Sequence, residues 1–313
     1  MKKPLVFIDG REGTTGLRIY DRLASRDDIE LIILKEEDRK NPAKRKEAIN
    51  SSDISFLCLP DAAAIEAEEM CDNPNTVIID TSTAHRTTPG WAYGFPEIDE
   101  EHRDAIKQSK RIAVPGCHAS GYVALVYPLV KNGILDENAL LTCHSITGYS
   151  GGGKKMIAEY EGEERSELLD APRQYGLTQN HKHLKEMKAL TGIAPVFSPI
   201  VSDFYSGMVM TVPLFKEQLK EGKTVEDIKT VYKNLYTSEI VSYSEDITDN
   251  NAGTFISGAG MSHKDSMKVS VLGNEDRILL IAQYDNLGKG ASGAALQCLN
   301  IKMGADEKKG LEL

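Results

Sequence analysis

Cysteine is scarce: five residues, at 58, 71, 117, 143 and 298, with no C-x-x-C pair and an odd total. Neither a zinc ribbon nor a disulfide framework fits that set, and most of these thiols are expected to be small buried hydrophobes. Long apolar runs are missing too. Met1-Lys2-Lys3-Pro4 leads into an apolar segment that stops at Asp9-Gly10, far short of a signal h-region or a membrane span, so the chain reads as cytoplasmic with no membrane partner. No basic stripe offsets the formal net charge of −10, which leaves a nucleic-acid backbone little to bind. Internal repeats and low-complexity tracts are absent. What is present is an ordinary apolar content in 313 residues, enough for about two domains, each with a core.

The first third alternates short apolar runs with polar, helix-like stretches, the pattern of parallel strands joined by crossover helices. Strands are predicted at Leu5–Asp9, Ile29–Leu34, Ile54–Leu59, Val77–Asp80 and Arg111–Val114, with helices beginning near Gly13, Pro42, Asp61 and Asp99. This is a doubly wound α/β domain of Rossmann type. After about residue 140 the segments lengthen: Ala139–Thr147, Phe204–Leu214, Ser266–Leu272 and Arg277–Asp285, the last two flanking a turn at Gly273-Asn274-Glu275-Asp276. They predict a mixed or antiparallel sheet, with helices near Lys182–Leu190 and Thr224–Tyr236, hence an α+β second domain. Ala291–Met303, apolar at helical spacing, can return to the first domain.

Gly10, Gly13 and Gly16 recur every third residue where the first strand gives way to a helix, and Thr14 and Thr15 open that helix. A phosphate can approach bare backbone there and rest on the helix N-terminus. The G-x-x-G-x-x-G spacing is weak evidence alone and fair evidence at the first βα turn of a parallel domain. After the second strand come Glu36 and Glu37 but also Arg39, Lys44, Arg45 and Lys46. Such a run is ordinarily a solvated face; beside a dinucleotide loop its cations favour the 2′-phosphate of NADPH over NADH.

Val114-Pro115-Gly116-Cys117-His118-Ala119-Ser120-Gly121 puts Cys117 after the last strand of the first domain and before an apolar helix. First-turn amides and the helix dipole lower a thiol pKa at such a position, and the thiolate is the nucleophile. Beside a nicotinamide it implies acyl transfer to sulfur followed by hydride reduction to an aldehyde. Proton traffic needs a further group, and Asn180-His181-Lys182-His183 offers two histidines. H-x-H is also a metal pattern, but no carboxylate cluster stands nearby, so no metal is expected. Gly148-Tyr149-Ser150-Gly151-Gly152-Gly153-Lys154-Lys155 nearly makes a Walker A loop, with Lys155 where the magnesium-binding hydroxyl belongs, which keeps a kinase or ATPase as the competing class. Asn286-Leu287-Gly288-Lys289-Gly290-Ala291-Ser292-Gly293 can wrap a pyrophosphate or nicotinamide, or simply let a helix pack closely.

Taken in order, Pro-Gly-Cys-His-Ala-Ser-Gly, Gly-Tyr-Ser-Gly-Gly-Gly and Asn-Leu-Gly-Lys-Gly-Ala-Ser-Gly-Ala make the chain resemble the N-acetyl-γ-glutamyl-phosphate reductase family, in its shorter form. The resemblance implies NADPH-dependent reduction of N-acetylglutamyl 5-phosphate to the semialdehyde and phosphate, a step of arginine biosynthesis. It implies a semialdehyde dehydrogenase architecture: an NADP-binding domain over 1–116, joined by the terminal helix within 287–313, and a catalytic and dimerisation domain over 117–286, assembled as a dimer or tetramer. On that pattern Cys117 is the nucleophile, and His181 and His183 divide the acid/base and substrate-holding roles in an order left open. Ser82, Arg86, Ser150 and Gly151 fall to the substrate, and Asn286, Lys289 and Gly290 to the cofactor. The longer form has Tyr-Pro-Thr where this chain has His118-Ala119-Ser120, and a charged His118 can bias the thiolate. Aspartyl-phosphate reduction by the same chemistry is the nearest enzymatic alternative. A dinucleotide-sensing protein that kept the fold is the non-enzymatic one.

Overall fold

Apolar residues alternate along the first strand, and both halves of the alternation are buried. In β1 (Leu5–Asp9), Val6 and Ile8 pack on one face while Phe7 packs on the other. Such a strand needs cover on both sides, which crossover helices supply. The computed structural model describes residues 3–249 and 254–313. They divide into a first unit, residues up to Pro96 with Glu100–Pro115 and Ala291–Leu311, and a second, Glu97–Asp99 with Gly116–Gly290 and Glu312–Leu313.

In the first unit β1 is joined by β2 (Glu30–Ile32), β3 (Ile54–Leu57), β4 (Val77–Asp80), β5 (Ala92–Tyr93) and β6 (Arg111–Ala113). All pairings are parallel, in the order β2-β1-β3-β4-β6-β5. Ile19 and Leu23 of α1 (Thr14–Ala24) and Ile106 of α4 (Glu100–Gln108) pack on the Val6 face, together with α9 (Gly293–Met303), whose Ala295, Leu296 and Leu299 are buried there. The opposite face is covered by α2 (Pro42–Ser51) and α3 (Asp61–Glu69). Chain order reverses between β1 and β3, and the crevice beyond the carboxyl ends of two such strands is where open parallel sheets bind ligands. The two residues of β5 are too short for any alternation to announce them.

The sheet of the second unit contains β7 (Thr142–Gly148), β8 (Arg173–Gln174), β9 (Val196–Ser202), β10 (Met208–Phe215), β11 (Val241–Tyr243), β12 (Met267–Gly273) and β13 (Arg277–Tyr284), in the order β11-β12-β13-β10-β7-β9-β8. It is mixed, as the sequence predicts: β7 with β9 and β11 with β12 are parallel, the other neighbours antiparallel. Among the described residues four α-helices complete the unit: α5 (Cys117–Lys131), α6 (Gly153–Glu161), α7 (His183–Thr191) and α8 (Val225–Leu235). The predicted hairpin turn forms, with Asn274 Oδ1 accepting the amides of Asp276 and Arg277 at 3.0 and 2.9 Å. Among the described residues no helix is long and apolar enough to cross a membrane.

One expectation needs correction, and one strand was not foreseen. The strand expected over 204–214 starts only at Met208, because the carbonyls of Phe204 and Tyr205 accept the amides of Tyr149 and Ser150, each at 3.0 Å, and hold that stretch out of the ladder. Strand β9 escapes the sequence pattern because Pro199 sits inside it, and proline weakens a strand signal.

Candidate active site

In the first unit, β1 is followed by Gly10 at φ +82°, and a Cβ there would lie 2.3 Å from the Cys58 carbonyl oxygen, so the turn requires glycine. Thr14, Thr15 and Gly16 follow as the first turn of α1, whose N-cap, Gly13, provides no side-chain cap. Beside this turn opens a cleft of about 650 Å³, lined by Gly10, Arg11, Glu12, Arg39 and Arg45 among others. A bare helix start and arginines at the switch point suit a dinucleotide phosphate. The predicted cations separate here. Arg39 lines the cleft, paired at 2.6 Å with Glu12. Arg45 also lines it but is buried, its guanidinium 2.9 Å from the Asp9 carboxylate. Burial pushes the Asp9 pKa up and the Arg45 pairing only partly offsets it, so Arg45 serves first to offset a buried acid. Lys44 pairs with Glu47 on the exposed side of α2 and is not brought to the cleft. Arg11, which the sequence reading did not single out, stands over the Tyr20 ring at 4.7 Å.

Ser82 and Arg86 also belong to the first unit. Ser82 is buried and donates from Oγ to Asp80 at 2.7 Å, and the same carboxylate holds His85 Nδ1 at 2.7 Å while the His85 ring stacks on Trp91. Arg86 donates to the carbonyls of Val114 and Thr81 at 2.9 and 3.0 Å, so its fork is partly taken up by backbone.

Cys117 is the first residue of α5, with Gly116 as N-cap and no side-chain cap. Neighbouring elements clamp that helix start. Glu186 of α7, buried, accepts the Gly116 amide at 2.8 Å. The Tyr284 hydroxyl of β13 donates to the Cys117 carbonyl at 2.6 Å and accepts the Gly121 amide at 3.2 Å, standing between two groups that would otherwise close a helical turn. Three imidazoles gather beside it. His118 lies 5.6 Å from His181 and 5.5 Å from His183, ring to ring, and His181 is 4.8 Å from His183. His183 is buried at the start of α7, whereas His181 is half-buried, its Nδ1 taking a long 3.3 Å bond from the His183 amide. Burial, helped by the Lys182 charge, lowers the His181 pKa and favours a neutral ring.

His118 corrects an expectation. It is buried, bonded through Nδ1 to Ser145 at 2.9 Å and through Nε2 to the Tyr175 hydroxyl at 2.6 Å. Desolvation above all, with the charges of His181 and Lys182 adding, pushes its pKa down to about 3. A ring that stays neutral lends the thiolate no charge. The remaining cysteines contrast with Cys117: burial pushes Cys58 up to about 12 and raises Cys143, while the Cys298 and Cys71 thiols face carbonyls of Gly94 and Asn73.

The two other glycine-rich segments are occupied internally. The amides of Gly148, Tyr149 and Ser150 bond to the carbonyls of Gly207, Phe204 and Tyr205 at 3.0–3.1 Å, so the Walker-like loop does not offer them to a phosphate. In the second segment, Leu287 and Gly288 donate to Asp285 Oδ1 at 2.6 and 2.9 Å. Asn286 bonds Ser150 Oγ and the Gly207 amide at 3.0 and 2.8 Å, and a Cβ on Gly151 would sit 3.2 Å from its Nδ2. Lys289 is buried against Glu97 at 2.8 Å. Gly290 would place a Cβ 3.0 Å from the Cys117 Cβ, so close packing against the thiol's own residue accounts for this glycine. The sequence reading missed Tyr175, Ser145, Glu186 and Tyr284. Only Glu186 left a signal, three residues beyond His183 on the same helix face.

Residues 6–108 match the NAD binding domain of semialdehyde dehydrogenases, and residues 117–286 match their dimerisation domain. N-acetyl-gamma-glutamyl-phosphate reductase of Sinorhizobium medicae is 43% identical over 309 residues, 97% of this chain and 100% of its own. The chain belongs to the N-acetyl-gamma-glutamyl-phosphate reductase family. N-acetyl-gamma-glutamyl-phosphate reductase 2 of a Nostoc species is 41% identical, covering 99% of this chain and 100% of its own. Among solved structures, aspartate semialdehyde dehydrogenase II of Vibrio cholerae, complexed with ASA, has a TM-score of 0.72 at 15% identity, over 97% of this chain and 99% of its own. The Candida albicans aspartate semialdehyde dehydrogenase with NADP has a TM-score of 0.62 at 14% identity, over 96% and 98%. At that distance these two concern the fold. Membership in the reductase family makes the chain an oxidoreductase of the semialdehyde dehydrogenase type with an NAD-binding domain.

Proposed function

We propose that this chain reduces N-acetyl-L-glutamyl 5-phosphate to the 5-semialdehyde and phosphate in arginine biosynthesis, with NADPH, as a cytoplasmic homo-oligomer. The observation that carries the reading is Cys117 as first residue of α5, with no side-chain cap on that helix start, next to His118, whose ring gathers with those of His181 and His183.

Cys117 attacks the acyl carbon; the bond from carbon to the phosphate oxygen breaks, phosphate leaves and a thioester forms. The α5 N-terminus favours the thiolate for this step. The chemistry a bound nicotinamide supplies is hydride, delivered to the thioester carbon. Breaking the carbon–sulfur bond then frees the aldehyde and restores the thiolate. Protons enter and leave through His181, whose ring is half-buried and favoured in its neutral form, and His183 is given the substrate-holding role. Gly10, Gly13, Thr14, Thr15 and Gly16 would hold the pyrophosphate at the start of α1, and Arg39 with Arg11, which line the cleft, would read the 2′-phosphate.

Oxidation of the semialdehyde in phosphate buffer with NADP⁺ tests this. The expected outcome is turnover with N-acetylglutamate semialdehyde in preference to aspartate semialdehyde, lost in Cys117→Ser by roughly 10³-fold or more while NADPH still binds. Preference for aspartate semialdehyde moves the substrate, and no turnover with either restores the sensing-protein reading.

A further inference from the structure

Gly10 to Gly13 form a tight turn, closed by the Gly13 amide donating to the Gly10 carbonyl at 2.9 Å, with Arg11 and Glu12 at its two central positions. The positive φ of Gly10 on one side and α1 on the other fix that turn, so Glu12 can leave the cleft only by moving its side chain. Its Oε1 is 2.6 Å from Arg39 Nη1 and 3.4 Å from Arg11 Nη2, one carboxylate oxygen shared by the two arginines assigned to the 2′-phosphate. Arg39 also pairs with Glu36, and Arg45 is committed to Asp9. Lys40 and Glu37, the remaining charges of the lining, are exposed and have no ion-pair partner among the described residues. The acids of the cleft therefore match its cations one for one. A phosphate dianion meets no net positive charge there until a carboxylate withdraws. Asp9 cannot withdraw, being buried, and the Glu36 side chain is 87% exposed and already screened by water. Glu12, at 55%, is the less exposed partner of Arg39 and the one whose departure frees both arginines. Such a pair is weak, whereas a guanidinium can bind a phosphate through two parallel charge-assisted bonds, so the exchange runs toward the phosphate.

We propose that Glu12 is a specificity-determining residue of the cofactor site: in the free chain its carboxylate occupies the guanidinium edges of Arg39 and Arg11, and it gives them up to the 2′-phosphate when NADPH binds. NADH has a hydroxyl at that position and requires no exchange. Glu12 thus lowers the preference for NADPH below what the two arginines would give alone. The proposal rests on the reading of Arg39 and Arg11 as the 2′-phosphate site.

Fluorescence or calorimetric titration of the full chain with NADPH, NADH and 2′,5′-ADP tests it. Glu12→Gln keeps the shape and removes the charge, and is expected to tighten NADPH and 2′,5′-ADP by roughly five-fold without tightening NADH. Glu37→Gln removes the same charge from the same lining but frees no arginine, and is expected to give a much smaller gain. Three results overturn the proposal: NADPH binding that is unmoved or weaker in Glu12→Gln, NADH tightened as much as NADPH, or an equal gain in Glu37→Gln. The first would make Glu12 a support for Arg39, the second would place its effect at the pyrophosphate, and the third would reduce it to net charge. A parent chain that binds NADH as tightly as NADPH instead removes the 2′-phosphate reading itself, and the proposal with it.

Discussion

At the residue scale, the two histidines of the H-x-H segment differ in exposure, and that difference predicts different kinetics. His181→Asn is expected to lower kcat by about 10²-fold or more, whereas His183→Asn mainly raises KM. Steady-state kinetics with the acyl phosphate check this, and the reverse pattern would exchange the roles. His118 makes a prediction about stability. Its pKa is about 3 in the fold against an ordinary 6.5. Between those values the unfolded chain binds a proton that the folded chain does not. The His118 contribution is therefore complete above pH 6.5 and is lost progressively as pH falls toward 3. Urea midpoints at pH 7.5 and 5 should fall less on acidification in His118→Gln than in the parent; equal losses would mean that His118 is charged in the fold. For the cofactor, Arg39→Ala should weaken NADPH binding by about ten-fold while leaving NADH nearly unchanged, and Lys44→Ala should change neither. Fluorescence titration reads both, and an Arg39 variant with unchanged preference would locate the 2′-phosphate elsewhere.

At the element scale, α5 owes its placement to parts of the chain far from Cys117. Glu186 on α7 holds the amide before it, Tyr284 on β13 holds its carbonyl, and the turn leading out of β13 brings Gly290 against it. Gly290→Ala would set a methyl 3.0 Å from both the Cys117 Cβ and the Asp285 carbonyl oxygen. We expect about a ten-fold loss of kcat, because small displacements at a reacting atom are costly, with NADPH affinity preserved. Full activity in that variant would show that the turn yields freely.

Considered as a whole, the second unit carries an incomplete surface. Its sheet has one side packed by α5 and α8, while the cross-strand register carries Val196, Phe215 and Leu279 to the other side, where they are 58%, 62% and 37% exposed. An apolar sheet face left open in a dimerisation domain is a place for a second copy. Light scattering should give a multiple of 34.4 kDa, and Val196→Asp with Leu279→Asp should shift it toward the monomer. A monomeric parent chain at micromolar concentration would contradict this.

Local features were readable in the chain. The glycines where β1 gives way to α1, the cysteine that opens α5 after β6 and the hairpin at Asn274 each depend on residues a few positions apart, whose backbone preferences act before any packing. The alternation that buries β1 on both faces likewise announced a parallel sheet with helices on either side. Tertiary structure decided what those groups can do. Arg45 and Asp9 are 36 positions apart, His118 and Ser145 are 27, and Gly116 and Glu186 are 70. Folding joined each pair in a buried setting. That removed Arg45 as a free cation, made His118 neutral and closed the Walker-like loop with carbonyls from Phe204 to Gly207. Charge state and hydrogen-bond availability depend on burial and on partners, and both are properties of the packed chain, which spacing in the sequence does not encode.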